Sequence, residues 1–111
     1  MIRIHIARKR DDRSIVSFSV DGHANYAKRG QDIVCAGVSA VTVGTVNSIE
    51  ALTGVVLESE MKNGFLSGRI KAPIEPETFA QVQLLLESMV VMLQSIEASY
   101  GKYIEIHEQF L

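Results

Sequence analysis

Residues 2–8 alternate strictly, with Ile2, Ile4 and Ile6 on one side of an extended chain and Arg3 and His5 on the other. A period of two with one apolar side marks a half-buried strand. Residues 9–13 are all charged and predict a turn. Val16, Phe18 and Val20 then form the inward set of a second strand, opposite Ser17 and Ser19. So short a connection makes the two strands an antiparallel hairpin. Residues 21–32 lose all periodicity and carry Gly22, Asn25 and Gly30. They predict a loop, long for a compact domain, and loops of that length are commonly functional.

At Ile33 the period becomes helical, with Val38, Val41, Thr45, Ile49 and Leu52 on one stripe. Asp32 is placed to cap the helix and Gly54 to close it. Ala36, Gly37, Ser39, Ala40 and Gly44 keep its early length slim, so it can lie close to a neighbour. Its β-branched residues and glycines give it little intrinsic propensity, so packing must hold it. Val55, Leu57 and Met61 alternate with Glu58 and Glu60 in a third strand, and Asn63-Gly64 predicts a type I′ turn into a fourth, Phe65 to Lys71. A second helix runs from Pro76 or Glu77 to Tyr100, with Phe79, Val82, Leu86, Met89, Leu93 and Ile96 as its stripe. Leu84, Leu85, Val90, Val91 and Met92 widen that stripe around most of the circumference, which suits either deep burial or a subunit interface. Gly101 ends the helix, and Tyr103 to His107 supplies a last strand.

The order ββαββαβ predicts an α+β fold, one domain over residues 1–111 with no repeat or linker. A mixed five-stranded sheet with a helix on each face fits the crossovers. The clean alternation of the first strand leaves open a two-layer arrangement with both helices on one face.

At 111 residues there is room for one core. Eleven basic against thirteen acidic side chains, a net charge of -2, give no nucleic-acid footprint. Arg8, Lys9, Arg10 and Arg13, interrupted by Asp11 and Asp12, predict a solvated hairpin tip. A single cysteine makes no internal disulfide, so no oxidising compartment is implied. MIRIHIARKR lacks the apolar core of a signal peptide, and no unbroken apolar run approaches the roughly 20 residues of a membrane span. These features predict a cytoplasmic protein. Three histidines and one cysteine without paired ligand spacing predict no metal site, and no phosphate loop or GxGxxG suggests a cofactor. His5 and His107 fall on polar strand faces and read as surface residues.

The candidate chemistry lies at Cys35, in the run DGHANYAKRGQDIVCAGVSA. A helix N-terminus and a nearby imidazole both favour the thiolate, which is the reactive form. His23 on the same loop can supply the base. Gly22 permits close approach or an unusual backbone. Asp32 can cap the helix or orient the imidazole, and free N–H groups in the first helical turn would suit a developing oxyanion. The residues alone suggest a Cys–His hydrolase or transferase; a binding module with an inert thiol is the alternative from another class.

The segment GHANYAKRGQDIVCAGVSAV resembles the signature of the ribosomal-processing cysteine proteases, the Prp family. Gly22, His23, Ala24, Gly30, Asp32, Ile33, Val34, Cys35, Ala36, Val38, Ser39 and Ala40 all match the pattern. Gly37, where the family commonly has alanine, is the visible departure. Members remove a short N-terminal extension from a large-subunit ribosomal protein, cut after an aromatic residue and are typically homodimers. The resemblance implies that Cys35 is the nucleophile and His23 the proton acceptor and donor. It ties Gly22, Asp32 and Ser39 to the geometry of the site, and makes the Gly22–Asp32 loop a mobile cover that settles on peptide.

Overall fold

The computed structural model describes residues 1–111. Its elements are β1 (Ile2–Arg8), β2 (Ile15–Asp21), α1 (Ile33–Thr53), β3 (Glu58–Lys62), β4 (Phe65–Arg69), α2 (Pro76–Tyr100) and β5 (Ile104–Phe110). The order is the expected one, and the strands form a single mixed sheet in the sequence β3-β4-β2-β1-β5. Neighbours are antiparallel except β1 and β5, which run parallel with Ile2 opposite Ile104 and Arg8 opposite Phe110.

Both helices pack on the same face and against each other. A helix on each face therefore does not occur, and the two-layer arrangement is the one adopted. The crossover rule accounts for this. The α1 connection leaves β2 and moves one way across the sheet; the α2 connection leaves β4, antiparallel to β2, and moves the other way. Two reversals cancel, so right-handed crossovers place both helices on one side. Composition agrees. Ile4, Ile6 and Phe18 are buried beneath the helices, whereas His5, Ser17, Ser19 and Ser67, at alternating positions, stand on the polar opposite face.

The core joins these strand residues to Val34, Val38 and Ile49 of α1, to Val82, Leu86, Met89, Val90 and Leu93 of α2, and to Ile104 of β5. The expected stripes hold except at Leu52, which is 72% exposed at the end of α1. On α2, Leu84 and Val91 stay outside the core. By length and composition each helix could cross a bilayer; here each lays one stripe on the sheet. The third strand is shorter than expected and exposed along its whole length, leaving Leu57 as the buried anchor before it.

Arg8 departs from the expected solvated tip. It is buried, and its guanidinium grips Glu87 of α2 through two hydrogen bonds of 2.6 and 2.8 Å while reaching the Arg13 carbonyl and Glu108. Four residues of alternation carry it to the helix-facing side with Ile2, Ile4 and Ile6, and a partner 79 residues away makes its burial possible. Nearby, the Gln83 side chain accepts from the Ile15 N–H at 2.8 Å and donates to the Ile15 carbonyl at 2.7 Å. His5 and His107 are exposed and stacked on the open face, 5.3 Å between ring centroids.

Candidate active site

Asp32 starts α1. Its backbone is extended (φ -86°, ψ 100°), and one carboxylate oxygen accepts from the N–H groups of Val34 and Cys35, both at 3.0 Å. The other accepts from the Tyr26 N–H at 3.0 Å, so one side chain caps the helix and ties the loop to it. Desolvation disfavours the charged carboxylate, but the hydrogen bonds from the Cys35, Tyr26 and Ala27 backbone outweigh it and hold the Asp32 pKa below the usual aspartate value. Asp32 thus caps the helix and pins the loop, and its carboxylate also meets the Cys35 thiol; none of its hydrogen bonds is directed to His23. This cap also alters the expected oxyanion site: the N–H groups of Val34, Cys35 and Ala36 already donate to Asp32 side-chain or carbonyl oxygens.

Cys35, in the first turn of the helix, is half-buried. Its sulfur accepts a hydrogen bond from the Ala24 N–H at 3.3 Å. Ala24 is buried and directly follows His23, so the loop crosses immediately beside the thiol. Gly22 is held at φ +94°, a conformation L side chains rarely adopt, and a Cβ there would also collide with the Met1 carbonyl. The Met1 nitrogen donates to the His23 carbonyl at 2.6 Å. Beyond His23, Asn25 takes φ +56°, turning the chain so that the Tyr26 ring meets Tyr100 and Tyr103 edge-on at 5.7 and 5.2 Å. The loop is thus fastened at Met1, Asp32 and the two tyrosines.

Two clefts meet here, and His23 and Cys35 line both. One, about 240 Å³, runs between α1 (Val38, Ser39, Thr42, Val43) and the β3–β4 hairpin (Met61, Phe65, Leu66) and is largely apolar. The other, about 510 Å³, lies under the loop and is more polar, with Asn25, Arg29 and Asp32. A depression of about 570 Å³ on the open face of the sheet holds neither residue. Ser39 lies on the wall of the apolar cleft, one turn past Cys35. The structure thus brings Gly22, His23, Asp32, Cys35 and Ser39 together. The sequence does not single out Ala24 as a donor to sulfur, Tyr26 as a loop anchor, or Asn63 and Gly64 as neighbours of the histidine. Ala24 carries a signal only as a position of the signature; Asn63-Gly64 signals a turn, and with positive φ at Gly64 but not at Asn63 it is not the expected type I′.

A half-buried thiol at a helix start, with an imidazole at the same junction of two clefts, is the equipment of a cysteine protease. Residues 1–105 match the family model described as cysteine protease Prp, and the chain belongs to that family. It is 41% identical over 95 residues to the ribosomal processing cysteine protease Prp of Bacillus subtilis strain 168, covering 84% of this chain and 85% of that protein. Against the protein of the same name from Staphylococcus aureus strain Mu50 it is 34% identical over 97 residues, 87% of this chain and 90% of the relative. The fold superposes with a TM-score of 0.87 on the crystal structure of the S. aureus essential ribosomal processing protease Prp in complex with a covalently linked product peptide. That match has 34% identity and covers 98% of this chain and 100% of the other.

Proposed function

We propose that this chain is an endopeptidase that removes a short N-terminal extension from a large-subunit ribosomal protein, with Cys35 as nucleophile and His23 as proton acceptor and donor. The observation that supports this reading is that Cys35 and His23 line the same two clefts, with the Cys35 sulfur accepting from the Ala24 N–H. The S. aureus relative captured with a covalently linked product peptide supports a covalent route.

His23 takes the thiol proton, and the sulfur attacks the scissile carbonyl carbon, forming a C–S bond and an oxyanion. With the first-turn N–H groups engaged by Asp32, the Ala24 N–H is the donor already aimed at the reacting atom. As negative charge passes from sulfur to oxygen, it can follow. His23 then gives its proton to the leaving nitrogen as the C–N bond breaks, leaving a thioester on Cys35. Water, losing a proton to His23, hydrolyses the thioester, and that proton returns to the thiol. An aromatic residue before the cut suits the apolar cleft, where Val38, Val43, Met61 and Leu66 offer a non-polar surface. Asp32 and Gly22 position the loop; Ser39 borders the bound peptide.

We further propose that the enzyme works in the cytoplasm on its ribosomal substrate and forms a homodimer. Exposed Leu84 and Val91, two turns apart on one side of α2, support that contact. Light scattering giving a monomer mass at high concentration would refute it. For the activity, the purified substrate with its extension is incubated with the parent protein, Cys35→Ala and His23→Ala. The parent alone is expected to cleave at a useful rate, and equal cleavage by Cys35→Ala would end the reading.

A further inference from the structure

The turn at Asn63–Gly64 meets the site in three ways. The Gly64 carbonyl accepts from the Gly22 N–H at 2.9 Å, tying the turn to the residue before His23. The imidazole lies against the bare Gly64 Cα: a Cβ there would stand 2.8 Å from Nε2, 3.3 Å from Cε1 and 3.4 Å from Cδ2. Asn63 is the one residue besides His23 and Cys35 that lines both clefts.

We propose that Gly64 is a positioning residue for catalysis, its naked Cα forming the seat that sets the direction of the His23 imidazole; this rests on the reading of His23 as proton acceptor and donor. A methyl group at 2.8 Å from Nε2 cannot be tolerated without movement. The turn backbone is held by its bond to Gly22, so the imidazole, at the end of a side chain, is the part that gives way. General acid–base transfer requires hydrogen-bond reach, and a displacement of about 1 Å costs on the order of 100-fold in rate. Gly64 also has φ +76°, which disfavours any L side chain. Gly54 supplies the control: it has the same φ, and a Cβ there would meet nothing within 4 Å.

The test compares Gly64→Ala, Gly54→Ala and His23→Ala, cleaving the purified ribosomal protein with its N-terminal extension, alongside the pH dependence of iodoacetamide reaction at Cys35. Gly64→Ala is expected to lower kcat by roughly 100-fold with little change in KM, and to move the alkylation profile toward that of His23→Ala. Gly54→Ala is expected to keep both. A Gly64→Ala protein with parental kcat and profile overturns the proposal, as does an equal loss in Gly54→Ala. Parental cleavage by His23→Ala would instead remove the reading of His23 on which the proposal rests. Should Gly64→Ala fail to fold, the parent decides: a nuclear Overhauser effect between the His23 ring and Gly64 Hα is expected, and its absence overturns the seat.

Discussion

The two helices lie side by side on one sheet and are held in opposite ways. At its start, α1 is fastened by the Asp32 carboxylate, which joins the first helical turn to the loop carrying His23. The start of α2 has Pro76 in its first turn and no side-chain cap from Glu75. Its polar ties come from its body instead: Gln83 to Ile15, Glu87 to Arg8, and Glu97 accepting from the Ile106 N–H at 2.9 Å. The helix that presents Cys35 is secured at the junction of the two clefts, and the scaffold helix is secured along its length. Activity and stability should therefore separate between them.

Removing the cap should break the comparison most sharply. Asp32→Ala is expected to lower kcat/KM by about tenfold to a hundredfold, because loop and thiol lose a shared anchor. Its cost in denaturant midpoint should correspond to only about 1 kcal/mol, the usual effect of a lost cap. A variant as active as the parent would show that Asp32 matters to the helix alone.

The mirror-image change is Glu87→Ala, which leaves buried Arg8 with Glu108 and the Arg13 carbonyl. Unfolding should become easier by about 1–3 kcal/mol, with kcat unchanged at temperatures where the protein is folded. The pH dependence follows with its sign. The hydrogen bond from Arg8 holds the Glu87 pKa below the usual glutamate value. Its stabilisation is therefore complete above the unfolded-state pKa of about 4.3 and is lost as pH falls through the lower, folded value. Acid titration of parent and Glu87→Gln should converge at low pH; parallel curves down to full protonation would contradict this.

Much of this contrast was legible in the sequence. Asp32 ahead of a helical period, the position of Cys35 and the order of the elements are local patterns, and all appear in the structure. The missing parts depend on partners distant in the chain. Alternation cannot say that Arg8 will find Glu87, and neither tyrosine near residue 100 signals that Tyr26 will dock there. A clean strand period shows that one sheet face is polar, yet the two helices share the other only once the strand order is known. Asn63-Gly64 signals a turn whether or not a histidine rests on it.

Smaller effects sharpen the picture. Tyr26→Ala removes the edge-on contacts to Tyr100 and Tyr103, each kind of pair contributing about 0.5–1.5 kcal/mol. Hydrogen exchange should quicken in residues 24–31, with a severalfold rise in KM; unchanged exchange would dismiss the anchor. The least change is expected from Gly37→Ala. A Cβ there would meet Ile96 Cδ1 at 3.7 Å, an ordinary contact. Stability should rise by up to about 1 kcal/mol with no effect on cleavage; a loss would mean that the slender face of α1 is needed bare.

The central claim is that the sulfur of Cys35 carries the peptide between attack and hydrolysis. Rapid quenching of a single turnover in acid, followed by mass spectrometry of the digested enzyme, tests it directly. A transient peptidyl thioester on Cys35, rising and falling at rates consistent with turnover, is the predicted result. Complete cleavage with no acyl adduct on that residue at any time would contradict it.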